Sequence, residues 1–378
     1  MTDATSLPDV LAPHVTKGPV PGAVALVARG DRSEVAAVGY ADAEGTAPLV
    51  RDSIFRIASI TKPIVAAAVL ALVEEGRIAL DSPIAHWLPE LASPTVVRDP
   101  AGPVEDVLPA VRPITVLDVL TSRAGWGFSS DFSLPALQPV FALMDPFGPQ
   151  RVPEPDTWLA ALARIPLLHQ PGEAWLYNTC SDIQGVLISR VTGTSLPDFL
   201  AERIFEPLGM KDTGFEVPAA ERGRFTSQYR PTADGSAERV DTPDGQWSGL
   251  PAFPSGAGGL VSTVDDWWAF ARMLLAGGGP VLSAESVRLM TTDHLTLAQR
   301  TASDLFTEGQ GWGFGGSVDV EPREPWQVPG RYGWVGGSGT AAHLTPSTGA
   351  VSVLLTQYAM AGPTPPRIMR DFWAYAAS

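Results

Sequence analysis

Ser59-Ile60-Thr61-Lys62-Pro63-Ile64-Val65-Ala66-Ala67-Ala68-Val69-Leu70-Ala71-Leu72-Val73, followed by Glu74, Glu75 and Gly76, is the stretch from which the rest of the chain is read. From Ile64 to Val73 no residue is charged and no strand-like alternation occurs, so the stretch reads as a buried helix that starts near Ser59 and stops at Gly76. Pro63 falls in the first turn, where a missing N–H has no partner to lose. Ser59 and Lys62, three apart, share a face, and the helix start leaves N–H groups near Ser59 that suit an oxyanion. A serine here can be a nucleophile and the lysine its base. A free lysine, pKa ~10.4, is charged at neutral pH, so that role needs a downward shift of roughly 3, worth about 4 kcal/mol. The alternative is a surface lysine that happens to follow a serine, but the chain has only Lys17, Lys62 and Lys211.

With 378 residues, two lobes or one large domain with an insertion is the expectation. Hydrophobic residues make up 45% and charged ones 18%, with 37 Gly and 36 Pro, which describes a loop-rich globular protein and not a disordered one. A formal charge of −15 argues against nucleic acid or an anionic membrane as partner. Cys180, the single cysteine, gives neither an internal disulfide nor a metal cluster. No basic stretch followed by an apolar core opens the sequence, and Ile64–Val73 is too short to span a bilayer, so a cytoplasmic protein is expected.

Residues 4–17 read as a short amphipathic helix, and Pro21 to Gly30 with Ser33 to Tyr40 as a hairpin turning at Gly30-Asp31. From about 100 to 250 helical stretches (Val116–Leu120, Thr157–Arg164, Asp182–Val191) alternate with Pro/Gly-rich loops. Thr263 or Asp265 can cap a helix over Trp267–Leu275. Strand-like segments follow at Trp312–Val320, Tyr332–Gly337, Thr340–Leu344 and Val351–Gln357, and Arg367–Ala377 closes as a helix. The expected class is α+β: an antiparallel sheet flanked by helices (1–100 and 251–378) with a helical lobe (101–250) inserted and the site between the two.

A serine and lysine pair needs a further proton-handling group and a second oxyanion donor. Tyr177, in Trp175-Leu176-Tyr177-Asn178-Thr179-Cys180-Ser181-Asp182 ahead of a helix, can shuttle a proton to a leaving group, or simply pack. Gly333-Trp334-Val335-Gly336-Gly337-Ser338-Gly339 reads as a strand crowded with glycine, which means either close approach by a ligand or tight backbone packing. The N–H of Gly337 can be the second oxyanion donor beside that of Ser59.

Ser59-x-x-Lys62, then Tyr177-Asn178-Thr179, then Trp334-Val335-Gly336 follow the three-motif order of the penicillin-recognising serine hydrolases, which the chain resembles from about 20 to 375. Phe55-Arg56-Ile57-Ala58, the run from Glu206 to Phe215 and that from Gly258 to Asp266 resemble the class C-like branch. The resemblance implies a β-lactamase/transpeptidase-like fold with the site between its lobes. Two departures bear on substrate. The family's second motif ends in an amide-binding asparagine, whereas here Thr179 stands there with Asn178 one place early. The third motif is usually Lys-Thr-Gly, and here Trp334 replaces the cation with an aromatic wall. A Trp-x-Gly third motif looks like that of the family VIII carboxylesterases.

The resulting expectation is a serine esterase for small to medium acyl esters, with Ser59 as nucleophile, Lys62 and Tyr177 as acid and base, and no cofactor or metal. Trp334, Gly336, Thr179, Asn178, Trp126 and Phe128 are expected to contact substrate, with Phe132, Phe141, Met144 and Phe147 in a possible acyl or alcohol pocket. An acyltransferase on the same acyl-enzyme, a β-lactamase or D-amino-peptidase, and a non-catalytic covalent sensor or scaffold are the alternatives. No Gly-x-Ser-x-Gly elbow occurs, and His14, His86, His169, His294 and His343 sit in no triad setting, although His343 can edge the pocket.

Overall fold

A computed structural model describes residues 6–30, 32–233 and 235–378. Positions 4 and 5 of the expected first helix and Asp31 of the expected hairpin turn lie outside the described residues. The helix itself, α1, spans Leu7–Thr16. Strands β1 (Gly22–Arg29) and β2 (Arg32–Gly39) pair antiparallel with Arg29 opposite Arg32. Five late strands complete one sheet: β3 (Gly311–Trp312), β4 (Ser317–Val318), β5 (Tyr332–Gly336), β6 (Thr340–Thr345) and β7 (Ala350–Thr356). Its order is β2-β1-β7-β6-β5-β4-β3, with every neighbouring pair antiparallel, so the first hairpin docks onto the last strand.

Both faces of this sheet are covered, which is why β1 is buried from Gly22 to Ala28 instead of alternating. Val24, Leu26 and Ala28 join the large core, and Ala23, Ala25 and Val27 join a second one. The second core is closed by α1 and the final helix, through Leu7, Leu11, Ile368, Met369, Phe372 and Trp373. The large core is built around α2 (Lys62–Glu74), buried from Lys62 to Leu72, with α3 (Thr179–Thr192) packed on it. A helix apolar all round has no solvent face, and this one is enclosed accordingly. Next in chain order, α4 (Val264–Leu275) is capped by Thr263, whose hydroxyl accepts from the Asp266 N–H. The closing helix α5 runs over Arg367–Ala377.

One expectation changes. The strand expected over Trp312–Val320 is broken into β3 and β4 by a turn in which Gly313 N–H donates to the Gly316 carbonyl. Gly315 has φ +75° there, and a Cβ on it would stand 2.5 Å from the Lys62 carbonyl oxygen, so the turn is bent to fit the start of α2. Further pairings hold the chain near positions 100 and 250. Thr95–Val97 pairs with Val107–Pro109 around position 100. Residues ahead of 250 bond to the sheet side, through bridges Gly214 to Val261, Ile54 to Phe225 and Tyr229 to Tyr358. Among the described residues, no helix is long and apolar enough to cross a membrane.

Candidate active site

Residues Ala58–Thr61 form a single 3₁₀ turn that leads directly into α2. Ala58 has φ +44°, a conformation side chains resist, and it turns the chain so that Ser59 lines a cavity while Lys62 points inward. Lys62 is 1% exposed. Its Nζ lies 2.9 Å from Ser59 Oγ, 2.9 Å from Asn178 Oδ1 and 2.6 Å from the Ala257 carbonyl oxygen. The amide and the backbone oxygens can only accept. A neutral amine gives its two N–H bonds to them, and its lone pair is left facing the Ser59 hydroxyl.

Burial pulls the Lys62 ammonium down to about 7, against the field of Asp182, which favours the charged form. Tyr177 moves the other way. Burial pushes its phenol up to about 12, although hydrogen bonds with Ser59 and Trp334 oppose the shift. At neutral pH, therefore, the tyrosine keeps its proton and the lysine can lose one. Tyr177 is fixed by a two-way backbone pairing with Phe128, 2.9 and 2.8 Å, and its hydroxyl accepts from Trp334 Nε1 at 2.7 Å. The Lys62 amine stands 4.6 Å from the Tyr177 ring centre. Asn178, with φ +85°, makes the sharp turn from this strand-like piece into α3.

The turn from β5 into β6 is fastened to the segment before Ser59. Ser338 Oγ donates to the Arg56 carbonyl at 2.6 Å and Thr340 Oγ1 to the Ile57 carbonyl at 2.9 Å. A Cβ on Gly336 would lie 2.1 Å from Thr340 Oγ1 and 2.5 Å from the Ile57 oxygen, so glycine is required for this approach. Gly337 follows on the cavity surface, its carbonyl held by the Met360 N–H at 2.8 Å.

The cavity has a volume of about 350 Å³. Ser59, Tyr177, Asn178 and Gly337 lie at its polar end, and Phe128, Leu143, Met144, Phe147, Trp158 and Phe253 form much of its apolar wall. Trp126 does not join that wall. It is 1% exposed and its indole N–H donates to the Ile165 carbonyl, so it packs the core behind the motif. Trp334, expected as an aromatic wall, lies behind Tyr177 and is 3% exposed. Gly336 is held in the packing just described, and Thr179 is buried as the first residue of α3. His343 lies on the opposite side of the sheet, edge-on to Trp373. Phe141 supports Phe128 from outside the cavity, at 4.8 Å between ring centres.

Two contributors escape the sequence reading. Ala257 supplies the carbonyl that accepts from Lys62, and Asp182, on the cavity lining, supplies the field on it. Asp182 stands four residues after Asn178 on α3, a spacing that signals one face of a helix once Asn178 is placed at its start. The position of Ala257 comes from long-range packing and leaves no comparable trace.

A family model described as Beta-lactamase matches residues 7–370. Protein Rv1367c of Mycobacterium tuberculosis (strain ATCC 25618 / H37Rv) is 40% identical over 90% of this chain and 86% of its own. Esterase EstB of Burkholderia gladioli is 32% identical over 91% and 88%. Among solved structures, that of EstCE1, a hydrolase with promiscuous acyltransferase activity, superposes with TM-score 0.83 at 24% identity, covering 98% of this chain and 97% of the other. With its antiparallel sheet, its Ser59 turn and this match along nearly its whole length, the chain belongs to the Beta-lactamase family.

Proposed function

We propose that the protein is a serine carboxylesterase of the family VIII type, acting on small to medium acyl esters. The observation that carries this reading is the buried, partly neutral Lys62 amine, whose lone pair meets the Ser59 hydroxyl at the polar end of an apolar cavity. Ser59 Oγ attacks the ester carbonyl carbon while its proton passes to Lys62. The carbonyl π pair becomes the oxyanion, held by the N–H groups of Ser59 and Gly337. Collapse re-forms the carbonyl and breaks the bond to the alcohol oxygen, which takes a proton from Tyr177 as Tyr177 is reprotonated from Lys62. Water then enters, gives its proton along the same route and releases the acid and Ser59.

The base is Lys62 in this scheme, because a phenol raised to about 12 holds its proton where an amine near 7 does not. Trp334 in place of a cation, and an apolar wall, favour neutral esters over the anionic substrates of β-lactamases. Similarity to an enzyme named esterase EstB points the same way. The apolar wall also favours a second reading, acyl transfer, since an alcohol that binds there can intercept the acyl-enzyme before water does. Its proposed partner is a small ester.

The test compares hydrolysis of a short-chain p-nitrophenyl ester and of a chromogenic cephalosporin by the wild type and Ser59→Ala. Ester turnover that vanishes in the variant, with little cephalosporin cleavage, is expected. Dominant cephalosporin turnover would overturn the substrate class, and surviving ester turnover in Ser59→Ala would overturn the nucleophile. Added alcohol that diverts acid product into a new ester would support the transferase reading.

A further inference from the structure

We propose that Asp182 is a positioning residue that sets the working pH of Lys62 and aims the Ala257 carbonyl at its amine; this rests on the reading of Ser59 and Lys62 given above. Asp182 is 6% exposed and lies on α3, one turn beyond Asn178. Its Oδ1 accepts from Ser255 Oγ at 2.6 Å and from the Ala257 N–H at 3.0 Å. Across the same residue, the Ala257 carbonyl accepts from Lys62 Nζ at 2.6 Å. The carboxylate and the amine thus grip opposite ends of one alanine. The loop cannot drift away from α3, because Gly256 is packed so tightly that a Cβ on it would come 2.3 Å from the Ser181 carbonyl oxygen.

The other charged or titratable groups around Lys62 are accounted for. Tyr177 faces it from the loop before α3 with its proton retained. Arg56, on the strand before Ser59, is neutralised by Asp241, and Asp145 on the cavity wall is paired with Arg151. Cys180 on α3 is buried, and its thiol is pushed up to about 12. Asp182 is the acid whose field acts on Lys62; burial raises its own proton affinity, and the Ser255 hydroxyl, the Ala257 N–H and the Lys62 charge oppose that rise and favour the carboxylate. Burial weakens the amine as a base. A nearby negative charge restores part of its basicity, and a catalytic base works best with a pKa near the operating pH.

The sign of the effect is fixed. Removing the charge lowers the proton affinity of Lys62, so the acid limb of the pH profile moves to lower pH. The full chain is used, with the rate of Ser59 labelling by a fluorophosphonate followed beside p-nitrophenyl acetate hydrolysis across that limb. Asp182→Asn is expected to shift both limbs down by about 1 pH unit or more, together with a fall in the plateau rate from the loosened Ala257. Ser255→Ala removes one donor that favours the carboxylate, and is expected to give a smaller shift in the same direction; it carries the test alone if Asp182→Asn does not fold. A lower plateau with unmoved limbs in the folded variants would reduce Asp182 to a structural residue and overturn the proposal. Failure of wild-type Ser59 to label at all would instead overturn the parent reading.

Discussion

Arg56 and Lys62 stand six positions apart in sequence on either side of Ser59 and are 3% and 1% exposed, yet the molecule treats the two cations differently. Arg56 is fully partnered. Its Nε donates to Asp241 Oδ2 at 2.9 Å and its Nη atoms to the Thr226 and Thr242 carbonyls, while the Phe225 and Trp247 rings lie 4.0 and 5.1 Å from its centre. Burial brings it down only to about 10, so it stays charged at neutral pH. Among the described residues no carboxylate bonds to Lys62; its hydrogen-bond partners are a hydroxyl, an amide and a backbone carbonyl. Part of the difference is intrinsic, since a guanidinium is a stronger base than an amine, and at equal burial the partner adds to it. A carboxylate in contact makes a cation structural, and neutral oxygens leave it free to give up its proton.

Replacing Lys62 by Met should break the chemistry while sparing the fold. Loss of the proposed general base is expected to lower kcat/KM by roughly 10²–10⁴-fold. Stability should move the other way. The folded chain holds Lys62 near 7, below its ordinary 10.5, so between those values the unfolded chain binds a proton that the folded one lacks. The lysine is therefore least favourable to folding below about pH 7, and its penalty fades as pH climbs toward 10.5. Urea melts should show Lys62→Met gaining stability over the wild type at neutral and acid pH, with the gain shrinking at alkaline pH. A variant less stable at pH 7 would mean that the three hydrogen bonds outweigh the desolvation, and the contrast with Arg56 would fail.

The complementary substitution is Asp241→Asn, which leaves Arg56 charged and buried without its counter-ion. Breaking one partner of a buried pair costs about 3–5 kcal/mol, so a lower denaturation midpoint is expected, with the turnover of the folded enzyme changed only severalfold. Intact stability with lost turnover would move Arg56 from the scaffold into the chemistry.

The sequence announced the Lys62 side of this contrast more clearly than the Arg56 side. A helix that is apolar all round, with a lysine in its first turn, has one way to be buried, and the serine three residues back is brought along by helix geometry alone. Helices at Val116–Leu120 and Arg367–Ala377 stand where their apolar spacing and turn residues put them. Asp241 lies 185 residues from Arg56, however, and nothing local to either residue marks the pair. Size and motif position point to Trp126 and Trp334 as pocket walls. Whether an aromatic ring faces a cavity or the core behind it depends on which side of a loop the chain crosses, and an indole N–H with a buried acceptor, as both have, lets the ring be enclosed.

Trp334 gives the finest test of the contrast, because it touches Tyr177 and not Lys62. Its indole N–H donates to the Tyr177 hydroxyl at 2.7 Å and lowers the proton affinity of a phenol that burial has raised to about 12. Trp334→Phe keeps an aromatic ring packed against Trp312 and Tyr177 but removes that donor. One hydrogen bond contributes about 0.5–1.5 kcal/mol, so kcat should fall by roughly 2- to 10-fold. The acid limb should stay in place, since the phenol becomes still harder to ionise and the amine is left with the same neighbours. If the limb moves instead, Tyr177 and Lys62 share their proton so closely that no single group is the base, and the neutral-partner account of Lys62 would have to be replaced by one in which the pair titrates together.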